Sequence, residues 1–191
     1  MKIGLLGGTF NPIHTGHLIL AQECWYQLAL DKVIFIPAYI PPHKELEGNI
    51  SVADRLNMAR LALKHDKRFE ICTYEIDNSR VSYSIDTVRH LRQKFDRRTE
   101  LFFLAGADSA ESLSMWKDVG ELLKLVTFVI ASRPGWGLSS AFEGKVKRIL
   151  IPAADISSSI IRERVGKREP IDYLVPDKTV KYIRNKGLYR P

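Results

Sequence analysis

Cysteine is scarce in this chain: only Cys24 and Cys72 occur among 191 residues. They lie far apart, with neither a C-x-x-C pair nor a metal-ligand spacing, so a disulfide framework is excluded and two core thiols in a reducing cytoplasm are expected. Long apolar runs are also missing. Nothing approaches the ~18 residues of a membrane span, and the first residues lack a basic region followed by an unbroken apolar one. A soluble, unprocessed chain with no membrane partner is the expectation. Three common chemistries are missing as well. There is no G-x-G-x-x-G, and Pro37 rather than an acidic residue ends the second apolar run, which argues against a nicotinamide dinucleotide cofactor bound in the usual way. Gly144-Lys145 lacks the upstream glycine and the Ser/Thr of a P-loop. No G-x-S-x-G supplies a hydrolase elbow.

What is present is enough apolar residue, 45%, to bury a full core. Repeats, low-complexity segments and linkers are absent, so one domain over residues 1–191 is expected. A formal charge of +7 favours anionic partners, but the basic residues are spread along the chain. Charge alone therefore does not choose between nucleotides and nucleic acid.

Apolar periodicity orders the elements. Strands are expected at about residues 2–7, 32–37, 69–76, 100–105 and 125–131, with a sixth candidate at 146–151. Helices are expected at about 16–29, with Leu18, Ala21, Trp25 and Leu28 inward, then from Ser51 as N-cap with Asp54 three residues on, and at 84–95. Further helices are expected near 120–124, 157–165 and 178–185, the last stopped by Gly187. Alternating strand and helix implies a doubly wound α/β fold with a parallel sheet of order 3-2-1-4-5. Ligands of such sheets bind at the carboxyl ends of the strands where the winding reverses.

Two stretches carry phosphate chemistry. GGTFNPIHTGHL, residues 7–18, reads as strand end, glycine turn and helix start. Glycines let a backbone approach an anion, and the first N–H groups of a helix carry about half a positive charge. His14 and His17 share a helical face at that pole. ISSSIIRERV, residues 156–165, offers serine hydroxyls at a second helix start and Arg162 one turn later, whose fork suits phosphate oxygens. Taken alone, it reads first as an N-capped surface helix, and the company of H-x-G-H turns it toward phosphate.

The H-x-G-H after G-G-T-F resembles the nucleotidyltransferase superfamily signature, and ISSSIIR resembles its S-S-T-x-I-R element. PPHK at 41–44, SYSIDTV at 82–88, GADS at 106–109 with Trp116 beyond it, RPG at 133–135 and the final GLYR stand in the order found in bacterial nicotinate-mononucleotide adenylyltransferases. The resemblance covers essentially the whole chain and implies a Rossmann-like fold. It implies adenylyl transfer from ATP to nicotinate mononucleotide, giving the deamido dinucleotide and pyrophosphate, with Mg²⁺ bound through the substrate phosphates.

It also implies site residues. His14, His17 and Arg162 would be catalytic. Gly7, Gly8, Thr9, Phe10, Gly106, Asp108, Ile156, Ser157 and Ser158 would bind ATP, the last three from the C-terminal helical part at about 155–191. Lys44, Ser84, Thr87, Trp116, Lys117 and Arg133 would bind the mononucleotide. By residue type alone Asp108 is equally a helix N-cap, Trp116 a core residue, and Lys44 and Arg133 solvated charges. Asn11, Ser84 and Ser159 depart from the Asp, Thr and Thr usual in relatives. The serines keep a hydroxyl, and Asn11 is expected to serve its own turn. A different small adenylyl- or cytidylyltransferase, such as pantetheine-phosphate adenylyltransferase, is the nearer rival, and SYSIDT, Trp116 and the chain length speak against it. A nucleic-acid-binding module is the more distant one, and no RNA motif supports it. Homo-oligomerisation is left open.

Overall fold

The computed structural model describes residues 1–42, 46–47, 50–107, 112–132, 146–152 and 155–190. Six parallel strands form one sheet in the order β3-β2-β1-β4-β5-β6. They are β1 (Lys2–Gly8), β2 (Lys32–Pro37), β3 (Phe69–Ile71), β4 (Glu100–Gly106), β5 (Thr127–Ser132) and β6 (Lys147–Leu150). The expected order is observed, with the sixth strand added in parallel beside β5.

Because successive strand residues point to opposite faces, each strand feeds two cores. Leu6, Val33, Phe35, Leu104 and Val129 pack on one face beneath α1 (Thr15–Gln27) and α2 (Val52–Leu63). Ile3, Leu5, Ile36, Phe103 and Ile130 pack on the other against α4 (Ser84–Lys94) and α5 (Val119–Leu125). Both faces being covered explains the unbroken apolar runs of β2 and β4. Gly4 lies where the first face is most crowded, since a Cβ there would meet Leu104 and Leu30 at 2.9 Å.

Two expectations change in detail. In α1 the buried residues are Leu20, Ala21 and Cys24, with Leu28 just beyond, while Leu18 and Trp25 are only half-buried. At 100° per residue Leu18 and Trp25 sit roughly a quarter-turn from the centre of that face. The third strand stops at Ile71 instead of running to Ile76, and a single helical turn α3 (Tyr74–Asp77) follows. Local polar bonds favour that turn: Thr73 donates to Asp77 at 2.8 Å, and Asn78 donates to the Tyr74 carbonyl at 2.6 Å. Ser51 caps α2 as expected, accepting from the Asp54 N–H at 3.0 Å.

The last two helices are α6 (Ser158–Gly166) and α7 (Asp177–Lys186), the latter ended by Gly187 in the left-handed region at φ 62°. Val180 and Ile183 of α7 join Met58 and Ala59 of α2 in the first core. Tyr182 donates to Asp54 at 2.7 Å across the same contact. Among the described residues no helix is long and apolar enough to cross a membrane.

Ile183 is 1% exposed at the α2–α7 contact. Ile183→Ala should therefore cost about 2–5 kcal/mol. Denaturant unfolding read by circular dichroism checks this, and a loss below about 0.5 kcal/mol, the range of ordinary surface changes, would mean that α7 is not docked as described.

Candidate active site

The winding reverses between β1 and β4, and at their carboxyl ends the surface opens into a cleft of about 610 Å³. Its floor is the turn after β1. Phe10 takes a left-handed backbone at φ 50°, although it is a bulky residue that is 1% exposed. Its ring meets His17 edge-on at 5.1 Å and Phe35 at 5.7 Å. That packing leaves no room for a side chain at Gly8, where a Cβ would fall 2.8 Å from the Phe10 ring. Here the glycine is required by close approach.

Carbonyl oxygens of this turn are held from outside. Gly8 O accepts from the Ala38 N–H at 2.9 Å, Thr9 O from Arg55 at 2.7 Å, Asn11 O from Arg162 at 2.9 Å, and Pro12 O from the Ser158 hydroxyl at 2.9 Å. Asn11 does not close its own turn as expected. Its buried amide donates to the Glu47 carbonyl at 2.8 Å and accepts from the Tyr189 hydroxyl at 2.8 Å. Both groups are remote in sequence, so nothing local announces them.

His14 is the N-cap of α1, and its backbone N–H donates to His17 Nδ1 at 3.2 Å. An accepting Nδ1 places the proton of neutral His17 on Nε2. The rings are tilted at 33° with centroids 3.7 Å apart. Burial pushes the His14 pKa down to about 4, so at neutral pH this imidazole is uncharged, and its Nδ1 is buried with no partner among the described residues. The uncharged His14 ring and the accepting Nδ1 of His17 thus stand together at the positive end of α1.

The opposite wall is the start of α6. Ser157 caps it, accepting from the Ile160 N–H at 3.2 Å. One turn later the Arg162 guanidinium holds Asn11 O with one amino group and reaches Ser159 Oγ at 3.2 Å and the Glu47 carboxylate with the other. Glu47 is 71% exposed where Arg162 is 14% exposed, so the carboxylate approaches from the solvent side.

Gly7, Gly8, Thr9, Phe10, His14, His17, Gly106, Trp116, Ile156, Ser157, Ser158 and Arg162 thus line one cleft. Trp116 stands there against Phe103 at 5.5 Å and Phe128 at 5.8 Å, both nearly perpendicular to it. Ser84, Thr87 and Lys117 are not in that lining. Ser84 opens α4. Thr87 is 1% exposed, and its hydroxyl is given to buried Glu75 at 2.6 Å, so its side chain acts inside the protein. Burial pushes the Glu75 carboxyl upward, opposed by the hydroxyls of Thr87 and Ser82. Lys117 lies over the Tyr83 ring at 4.6 Å and pairs with Asp86 at 3.3 Å. Lys44, Asp108 and Arg133 lie outside the described residues. Among the described residues no cluster of three or more His, Cys, Asp or Glu side chains could hold a metal ion. An ion here would take most of its oxygens from a phosphorylated substrate.

The cytidylyltransferase-like family model matches residues 5–164. A probable nicotinate-nucleotide adenylyltransferase of Halalkalibacterium halodurans is 46% identical over 190 residues, which are 99% of this chain and 91% of that protein. The nicotinate-nucleotide adenylyltransferase of Bacillus subtilis is 40% identical over 188 residues, 98% of each. The chain belongs to the nicotinate-nucleotide adenylyltransferase family. A solved structure, Plasmodium falciparum nicotinic acid mononucleotide adenylyltransferase complexed with NaAD, shares the fold at a TM-score of 0.81 and 20% identity, covering 98% of this chain and 97% of that one.

Arg55 and Tyr189, which hold the turn after β1, and Glu75, which holds Thr87, are not marked in the sequence as such partners. Arg55 left one signal: it stands three residues before Met58 and four before Ala59, on the buried face of α2.

His17→Ala should lower kcat by about 10²–10³, the usual loss for one donor aimed at a reacting oxyanion. The helix cap it removes should cost only about 1 kcal/mol. Steady-state turnover alongside a circular-dichroism melt separates the two; normal turnover, or inactivity explained by unfolding, contradicts the assignment.

Proposed function

We propose that the cleft joins ATP to nicotinate mononucleotide, releasing pyrophosphate. One observation carries this reading: two helix starts, the His14–His17 pair and Arg162 converge on a single cleft at the switch point of a chain in this family.

The nucleophile is a phosphate monoester oxygen, already largely dianionic near neutral pH because its second pKa is about 6. It attacks the α-phosphorus of ATP, a new P–O bond forms, and the bond to the β-phosphate bridging oxygen breaks with its electron pair leaving on pyrophosphate. No general base is needed. The work is to hold two polyanions in line and to neutralise charge that grows on the α-phosphate and the leaving group.

His17 Nε2–H and the N–H groups that open α1 face that charge from one side. The α6 start and Arg162 face it from the other. Glu47 occupies one amino group of Arg162 in the free protein, and a phosphate oxygen takes its place on binding. A divalent cation, Mg²⁺ by this reading, enters with the ATP phosphates as part of the substrate. Gly7 to Phe10, Gly106, Asp108 and Ile156 to Ser158 cradle ATP, while Trp116 packs on the pyridine ring. Lys44 and Arg133 are assigned to the mononucleotide phosphate or the closing of the site. The opening of α4 at Ser84 and the Lys117 backbone donate to the ring carboxylate, with Thr87 acting through Glu75 on the placement of that helix.

A carboxylate accepts from all such donors, whereas an amide turns its NH₂ on at least one of them. The acid form should therefore be preferred by about 10²–10³ in kcat/KM, short of the largest polar discriminations because backbone donors relax and water intervenes. Initial rates with nicotinate and nicotinamide mononucleotides at saturating ATP decide it. Equal values, or a preference for the amide, would refute the acceptor assignment.

A further inference from the structure

Arg55 sits in the first turn of α2 with 0% exposure, and its partners among the described residues are carbonyl oxygens rather than carboxylates. Nη1 donates to Thr9 O at 2.7 Å and to Ala38 O at 2.6 Å, and Nη2 donates to Tyr39 O at 2.9 Å. Nε is buried with no partner among the described residues, and burial pushes the guanidinium pKa downward. Burying a cation this way is costly, and an apolar side chain would fill the same volume at less cost. What a cation does here, and an apolar residue cannot, is draw together two loops. Thr9 follows β1 and opens the phosphate turn; Ala38 and Tyr39 follow β2.

The bond to Thr9 reaches the reacting groups in two short steps. Thr9 precedes Phe10, whose left-handed backbone turns its ring onto His17. Tyr39 is itself tied to the start of α4, since its N–H donates to Ser82 Oγ at 2.9 Å and the Ser82 N–H donates to Ile40 O at 2.9 Å. Beyond the carboxyl ends of β1 and β2, one guanidinium therefore sets the turn that meets ATP relative to the loop that leads to α4.

We infer that Arg55 is a positioning residue for adenylyl transfer, fixing the phosphate turn through the carbonyl of Thr9 without touching substrate. This rests on the functional reading above. Lysine should not replace it, because a point charge on a single stem cannot serve three carbonyls in the plane of a guanidinium.

The test uses the full chain with Arg55→Lys and with Arg55→Met, which fills the volume without donors. Folded fraction comes from circular dichroism well below the melting temperature. ATP affinity is measured by calorimetry with no acceptor present, and kcat is taken per folded molecule. The expected result is an ATP Kd raised about tenfold and a kcat lowered by about 10–10², the scale of a misplacement near 1 Å in the reacting groups. Kd and kcat within twofold of wild type in a folded variant would overturn the inference. So would a loss that merely tracks the unfolded fraction, or the failure of both variants to fold, since Arg55 would then serve the fold alone. If wild type binds ATP yet makes no dinucleotide, the functional reading fails instead, and the ATP affinities still judge Arg55.

Discussion

A backbone turn that faces a polyanion cannot also point its carbonyl oxygens at it, and the turn after β1 meets that constraint by donation from elsewhere. The Ala38 N–H, Arg55, Arg162 and the Ser158 hydroxyl take Gly8 O, Thr9 O, Asn11 O and Pro12 O in succession. They come from three parts of the chain, so the shape of the turn depends on the β2 loop, α2 and α6 together. The left-handed Phe10 persists because these contacts and its own ring packing over-determine it. The docking of α7 on α2 belongs to the same requirement, since α2 carries Arg55.

The electrostatics follow the same logic. A net charge of +7 is spread over the surface and would attract any anion. Inside the cleft the free protein is far less charged: His14 is neutral, His17 accepts on one nitrogen, and Arg162 is faced by Glu47. Such a site avoids holding an uncompensated cation at Arg162 when empty, and under the proposed function a polyphosphate gains attraction by displacing Glu47.

The sheet order and most helices were legible because apolar periodicity and caps are local signals, as Ser51 with Asp54 and Gly187 illustrate. Part of the cleft's lining was legible for a related reason: its glycines, histidines and serines sit at element ends, where sequence marks them, whereas Ser84, Thr87 and Lys117 fall outside that lining. What supports the lining was not legible. Arg55 reaches Thr9 across 46 residues, and Tyr189 reaches Asn11 across 178. Thr87, expected at the mononucleotide, gives its hydroxyl instead to Glu75, twelve residues earlier and buried beside it. The overlong third strand had a local cause, since Phe69 to Ile76 keeps a strand-like run while Thr73 and Asn78 bond within a helical turn.

His14 is uncharged and buried at the start of α1, where the proposed function places the triphosphate, and its titration reads that directly. Imidazole nitrogen resonances followed by NMR should place the free protein's His14 pKa at about 4. ATP should raise it by roughly 1–3 units, the effect of a close negative charge on a cationic acid. A His14 that titrates near 6.5 in the free protein, or that ATP leaves unmoved, would contradict the placement of the phosphates against the start of α1.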